Sequence, residues 1–282
     1  MVVFNKIPPV IEWVISQKKE GRSIGFVPTM GALHKGHIAL VEQARRENEL
    51  VVCSIFVNPI QFNNKEDLKK YPRTVDSDLE KLDNAGCHAV FIPDTEEMYP
   101  TGQPDKTYDF GQLDKVMEGR FRQGHFNGVA IVVKKLFDIV QPHRAYFGEK
   151  DFQQLQIVRS LVRQEQSEVK VIGCPTVRET DGLALSSRNI RLTEAQRREA
   201  PRIYQALVKA RNMYPELPVE QIKDQIRATI NASPELELEY AEIVNPETLL
   251  PITRSHRNTS AVACVAANAG KVRLIDNMHL NS

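Results

Sequence analysis

Short, nearly continuous apolar runs alternate along the first part of the chain with segments whose apolar residues recur every three or four positions. Residues 24–27 and the longer run Leu50-Val51-Val52-Cys53-Ser54-Ile55-Phe56-Val57 read as strands. Near-continuous apolar character is what a parallel strand covered on both faces requires. Shorter runs at 89–92, 144–147 and 169–174 repeat the pattern. Between them the spacing predicts helices. Pro8-Pro9 opens one, with Val10, Trp13, Val14 and Gln17 at near-helical spacing and Gly21 beyond its end. Residues 36–48 form another, with Leu40, Val41 and Ala44 toward a core and Glu42, Arg45 and Arg46 outward. Further helices are expected at 75–85, 128–140 and 151–164. The alternation predicts an α/β fold: a parallel sheet with helices on both faces and right-handed crossovers. Ligands in such sheets sit beyond the carboxyl ends of the strands, so loops that follow strands are where chemistry is expected.

After about residue 176 the pattern changes. Thr193-Glu194-Ala195-Gln196 has the form of a capping box, and Pro201 should bend or interrupt the helix it opens. Another helix is expected at 219–230, followed by strand-like runs at 236–244, 261–266 and 272–275. Helices followed by strands predict a smaller α+β domain over 177–282, after a first domain over 1–176.

Composition narrows the function classes. The 282 residues carry a formal net charge of +1, with 41% hydrophobic and 26% charged residues, which argues against a general nucleic-acid or membrane-surface binder. No apolar run approaches the roughly 18 residues of a membrane span. The segment from Val2 to Pro9 lacks the basic and apolar regions of a secretory leader. Cys53, Cys87, Cys174 and Cys264 lie far apart with no C-x-x-C pair. Buried thiols in a reducing cytoplasm are expected rather than a disulfide framework.

Five loops could carry chemistry. Pro28-Thr29-Met30-Gly31-Ala32-Leu33-His34-Lys35-Gly36-His37 is a strand end, a small-residue turn and a helix start, a joint that aims backbone N–H groups at an anion. Its histidines could donate to phosphate oxygens in a transition state, or could be incidental to the turn, or half of a metal site. Asn58-Pro59-Ile60-Gln61-Phe62 offers uncharged amides suited to a polyol or carboxylate, against the plain reading of a turn. Thr74 in Tyr71-Pro72-Arg73-Thr74 reads as an N-cap. Arg120 to Gly128 reads as a flexible cover over phosphates or as a solvated basic loop. Phe147-Gly148-Glu149-Lys150-Asp151-Phe152-Gln153-Gln154 places a compact charge, Lys150, at a helix start, where Asp151 could simply cap. In Leu185-Ser186-Ser187-Arg188-Asn189, two hydroxyls and a guanidinium could wrap phosphate oxygens, or merely form a turn between domains.

In this order the blocks resemble the pantothenate synthetase (pantoate–β-alanine ligase) family, almost from end to end, with the final hundred or so residues matching more loosely. The histidine block looks like that family's HxGH signature, an element shared with nucleotidylyltransferases and aminoacyl-tRNA synthetases. The resemblance implies a Rossmann-like first domain binding ATP and pantoate, followed by a smaller lid domain. It also implies a two-step reaction: pantoate attacks the α-phosphate of Mg-ATP to give pantoyl adenylate and pyrophosphate, and β-alanine then displaces AMP. Carried over by position, the ATP site would comprise Met30, Gly31, Ala32, Leu33, His34, Lys35, Gly36, His37, Gly148, Glu149, Lys150, Asp151, the backbone of Val177, Leu185, Ser186, Ser187 and Arg188. His37, His34, Lys150 and Arg188 would be the catalytic set. Gln61 and Gln154 would bind pantoate, and Gln61 would also lie near β-alanine. Mg²⁺ and ATP are the implied cofactors, no protein ligand set for a metal is expected, and a cytoplasmic homodimer is implied. Gln123 and Ile131 depart from the family's usual proline and threonine. Another HxGH-superfamily nucleotidylyltransferase is the alternative; the Asn58 loop and the paired serines before Arg188 argue against it.

Overall fold

The computed structural model describes residues 1–62, 65–69, 71–102, 104–256 and 258–281. The chain divides into two compact units. The first comprises Met1–Asp114, Gly119–Gly148 and Gln154–Pro175; the second comprises Lys115–Glu118, Glu149–Gln153 and Thr176–Ser282.

The first unit is built on β1 (Val2–Phe4), β2 (Ile24–Thr29), β3 (Leu50–Ile55), β4 (Ala89–Phe91), β5 (Arg144–Gly148) and β6 (Lys170–Cys174). These strands lie in the order β1-β4-β3-β2-β5-β6, and every pair is parallel. Successive residues of β2 show why helices cover both faces. Val27 joins the cluster that contains Leu40, Val41 and Ala44 of helix Lys35–Glu47 and Leu82 of helix Val75–Asn84. Phe26 packs edge-on against Phe137 of helix His125–Val140, with ring centroids 6.3 Å apart. From β2 the chain steps outward to β3 and β4, and it then returns to add β5 and β6 on the other side. The order therefore reverses between β2 and β5, the position at which such sheets open a crevice.

The second unit has an antiparallel sheet of β7 (Glu237–Val244), β8 (Val262–Ala269) and β9 (Val272–His279). Helices Arg202–Met213 and Val219–Asn231 contribute Ile203, Leu207, Ile222 and Ile226 to a core shared with Ile243 and Val265. Pro201 separates helix Glu194–Glu199 from helix Arg202–Met213, and the Thr193–Gln196 capping box is present.

The structure departs from the sequence pattern in places that have physical causes. β1 is an edge strand whose Val2 and Val3 are exposed, so three residues carry no burial pattern to read. β3 ends at Ile55, and Phe56 and Val57 already belong to the following loop. β9 continues four residues past Ile275 because the buried Asp276 and Asn277 find polar partners. Helix His125–Val140 begins three residues before the expected start, with Gly124 at its N-cap in the left-handed region.

Candidate active site

The turn after β2 is fixed by a buried carboxylate. Gly31 has φ +82° and Ala32 has φ +50°, so the chain reverses through two left-handed residues, a conformation easy for glycine and costly for alanine. Asp78, fully buried on helix Val75–Asn84, offsets that cost: its two oxygens accept from the amides of Ala32 and Leu33, each at 2.8 Å. Thr74 donates its hydroxyl to Asp78 at 3.1 Å. Thr74 stands at the N-cap position of its helix, but its side chain makes no capping bond. Lys81 closes the arrangement, donating to the Leu33 carbonyl at 2.9 Å with its ammonium 3.8 Å from Asp78.

Beyond that turn the helix is capped by imidazoles. His34 is the N-cap of helix Lys35–Glu47, and its Nδ1 accepts from the Gly36 amide at 3.1 Å. His37 reaches back, its Nδ1 accepting from the His34 amide at 3.3 Å, which completes a reciprocal capping box. The ring centroids lie 4.1 Å apart. A nitrogen that accepts carries no proton, so in each neutral ring the hydrogen is assigned to Nε2. The amides of Gly31, Ala32, Leu33, His34 and Gly36 all donate to protein side chains. The expectation that this joint aims its backbone N–H groups outward is thus corrected for these five amides.

The loop after β3 is held just as firmly. Asn58 is buried and donates to Gln61 Oε1 and to the Gly128 carbonyl, both at 3.1 Å, while its own oxygen accepts from Tyr99 at 2.9 Å. Burial pushes the Tyr99 phenol up, so it keeps the proton it donates. Gln61 sits in the turn Pro59–Gln61 with its amide nitrogen 3.0 Å from Met30 Sδ, which joins this loop to the one after β2. Its backbone carbonyl lies 2.8 Å from Nδ1 of the buried His125. Helix His125–Val140 comes so close that a Cβ on Gly128 would lie 2.6 Å from the Ile60 carbonyl oxygen and 2.8 Å from Gln61 Cα. His125 and Gly128 thus scaffold Gln61 and are not a solvated basic loop. Gln154 is half-buried in the first turn of helix Phe152–Gln164.

In the second unit, Glu149–Asp151 forms a single 3₁₀ turn. Lys150 is largely covered, its ammonium 3.2 Å from the Asp151 carboxylate. Val177 accepts from the Leu185 amide at 3.0 Å, and Arg178 pairs with Ala184, so two expected nucleotide-binding segments are the arms of one hairpin. The hairpin continues into a serine turn: Ser186 Oγ accepts from the Arg188 amide at 3.2 Å and its carbonyl from the Asn189 amide at 3.0 Å. Leu185, Ser186, Ser187 and Arg188 are all half-buried.

The model of the pantoate-β-alanine ligase family matches residues 2–279. The chain belongs to the pantoate–β-alanine ligase family. It is 51% identical over 262 residues to the pantothenate synthetase of Bacteroides fragilis strain YCH46, covering 93% of this chain and 92% of that protein. Identity to the Porphyromonas gingivalis W83 pantothenate synthetase is 47%, with 99% of each chain covered. The crystal structure of pantothenate synthetase from Thermus thermophilus superposes with a TM-score of 0.93 at 45% identity over 100% of both chains. A pantoate-β-alanine ligase from Francisella tularensis, complexed with β,γ-ATP and β-alanine, matches at TM-score 0.82 and 35% identity, covering 99% of this chain and 98% of that one.

As a pantoate–β-alanine ligase the protein forms the carbon–nitrogen bond of pantothenate. Sequence reasoning missed the residues that hold the family's loops in place. Asp78 lies on a helix that reads as polar, and only its full burial reveals its role. Arg178, Asp276 and Asn277 sit outside every recognised motif. Asp276, paired with both guanidinium nitrogens of Arg178 at 2.6 and 2.9 Å, could have been suspected only as an acid interrupting an apolar run.

Proposed function

We propose that the ligase works through pantoyl adenylate, with ATP as the activating substrate. In the first step a pantoate carboxylate oxygen attacks the α-phosphorus and pyrophosphate leaves. In the second the β-alanine amine attacks the acyl carbon and AMP leaves. The observation that carries this reading is the reciprocal imidazole cap. It holds two imidazole rings side by side at the positive end of a helix, each with Nδ1 accepting from a backbone amide, which in a neutral ring assigns the hydrogen to Nε2. Charge builds on phosphate oxygens as pyrophosphate departs, and preorganised N–H donors act there without reorganising. His34 and His37 take that role, with Lys150 and Arg188 as the cationic members of the set.

Met30 to His37, Gly148 to Asp151, Val177 and Leu185 to Arg188 make up the ATP-binding residues. A Cβ at Gly148 would meet no other atom within 4 Å, so packing within the chain does not require glycine there, whereas close approach of a ligand to the backbone would. Gln61 and Gln154 orient pantoate, and Gln61 also borders β-alanine. The Gln61 amide is uncharged, so it can hold a carboxylate or hydroxyl without neutralising the nucleophile.

The donor set suits Mg²⁺ carried on ATP phosphates. Among the described residues no group of three or more His, Cys, Asp or Glu could cage a metal, and Mg²⁺ characteristically takes one or two carboxylates plus phosphate oxygens. Asp151, with its side chain half exposed, is the carboxylate we assign to it. Bound there, the ion would neutralise phosphate charge. No described helix is long and apolar enough to cross a membrane. We assign the enzyme to the cytoplasm, whose reducing conditions suit four cysteines that form no disulfide, and to a homodimer, as the family resemblance implies.

The test is pyrophosphate release from Mg-ATP and pantoate, followed with and without β-alanine. The expected result is one equivalent of pyrophosphate per site without β-alanine and AMP only after it is added. Pyrophosphate release that strictly requires β-alanine would rule out a preformed adenylate. Incorporation of a nucleotide into the product would point instead to nucleotidylyl transfer.

A further inference from the structure

Two adjacent residues of β9 meet both of the second unit's proposed nucleotide segments. The Asn277 side-chain amide donates to the backbone carbonyls of Glu149 at 2.8 Å and Lys150 at 3.0 Å. One NH₂ group therefore grips the two successive carbonyls that set the direction of the Lys150 turn. Asp276, almost fully buried, takes Arg178 in a bidentate pair, and Arg178 donates further to the Gly182 carbonyl at 3.0 Å, across the hairpin that joins Val177 to Leu185. The two halves are joined, since Asp276 Oδ1 also accepts from the Asn277 amide at 2.8 Å. Arg178 is further fixed by the Tyr204 ring, 4.5 Å from its guanidinium carbon. Burial pushes the Asp276 carboxyl up against the opposing pull of Arg178. A carboxylate that costly to bury is better explained by the geometry it enforces than by net stability.

We propose that Asn277 and Asp276 are positioning residues for the adenylation step: Asn277 aims Lys150 through the Glu149 and Lys150 carbonyls, and Asp276 with Arg178 sets the hairpin that carries Val177 and Leu185 to Arg188. The proposal rests on the assignment of Lys150 and Arg188 to ATP. Neither Asn277 nor Asp276 needs to touch substrate. Their effect passes through backbone whose placement decides whether an ammonium and a guanidinium meet phosphate oxygens, and a displacement of about 1 Å in such a site can cost about a hundredfold in rate.

A double-mutant cycle on the full-length enzyme tests this. Asn277→Ala, Lys150→Ala and the double variant are compared in single-turnover pyrophosphate release. In parallel, pantothenate formation is followed from pantoyl adenylate supplied directly with β-alanine. The expected result is a 10- to 100-fold slower pyrophosphate release for Asn277→Ala, with transfer from supplied adenylate within about threefold of wild type. The Asn277→Ala effect should shrink to less than about threefold in the Lys150→Ala background. Additive losses in the two single variants, or equal losses in both half-reactions, would overturn the proposal and leave Asn277 a purely structural residue. A Lys150→Ala enzyme that releases pyrophosphate at the wild-type rate would instead overturn the ATP assignment and this proposal with it. If Asn277→Ala does not fold, Asn277→Ser, which keeps one donor, is read in the same cycle against the same outcomes.

Discussion

Replacing Asp78 with asparagine changes one atom in the carboxylate that holds the turn after β2. The new amide keeps one acceptor oxygen, enough for either the Ala32 or the Leu33 amide, and turns an NH₂ group toward the other. A hydrogen bond to a charged acceptor contributes about 1.5–3 kcal/mol, and a buried donor left unpaired costs about 1–3 kcal/mol more. The sum, roughly 3–5 kcal/mol, corresponds to a fall in Tm on the order of 10 °C for a unit of this size. Activity should suffer beyond the loss of folded protein, because Gly31 and Ala32 lie in left-handed conformations that relax when their restraint weakens. His34 follows two residues after Ala32, so its Nε2 would move with the turn. Differential scanning fluorimetry gives the first quantity, and stopped-flow pyrophosphate release below the lowered Tm gives the second, expected to fall about 30- to 100-fold. Thr74→Val removes one neutral hydrogen bond to Asp78 and serves as the graded control, at about 1 kcal/mol. Wild-type Tm and rate in the asparagine variant would refute the idea that this carboxylate sets the turn.

Gly128→Ala places a methyl group against the Ile60 and Gln61 backbone; steady-state kinetics should show the pantoate KM rising at least about tenfold with the ATP KM nearly unchanged, and parallel rises would count against the role given to Gln61. His37→Ala should lower the adenylation rate at least about a hundredfold with the fold retained by circular dichroism, whereas near-normal adenylate formation would remove His37 from the chemistry. All four cysteines are buried and none is in a disulfide, and burial pushes the Cys87 thiol up to about 12 and that of Cys53 well above its ordinary value. A thiol disulfide reagent at pH 8 should therefore leave the native enzyme unlabelled over minutes and titrate four thiols after denaturation; fast labelling of the native protein would contradict that burial.

The alternating runs of the first unit were legible because a covered parallel strand is nearly apolar throughout, so the runs at 50–57 and 89–92 stand out from their surroundings and contain the strands 50–55 and 89–91. β9 was less so. Asp276 and Asn277 look like the end of an apolar run, yet both are buried, and only their partners on distant stretches of chain show that the strand continues through them. The same blindness hid Asp78, since its sequence neighbours say nothing about amides 45 and 46 positions earlier. The candidate site divides along that line. His34, Gln61, Lys150 and Ser186 stand in short, recognisable local motifs, whereas the residues that aim them act through contacts distant in sequence.

The imidazole capping box has a consequence for how this site could change over time. The two histidines stand three positions apart because an N-cap and the third helical residue do, so the register of the helix and the placement of the proposed phosphate donors are a single constraint. Inserting or deleting one residue between them would abolish both functions at once. A substitution that keeps only the cap, such as asparagine for His34, would preserve the helix start while removing the imidazole. The spacing therefore cannot drift, and a pair with this spacing at a helix start is a more durable marker of the candidate site than either histidine alone.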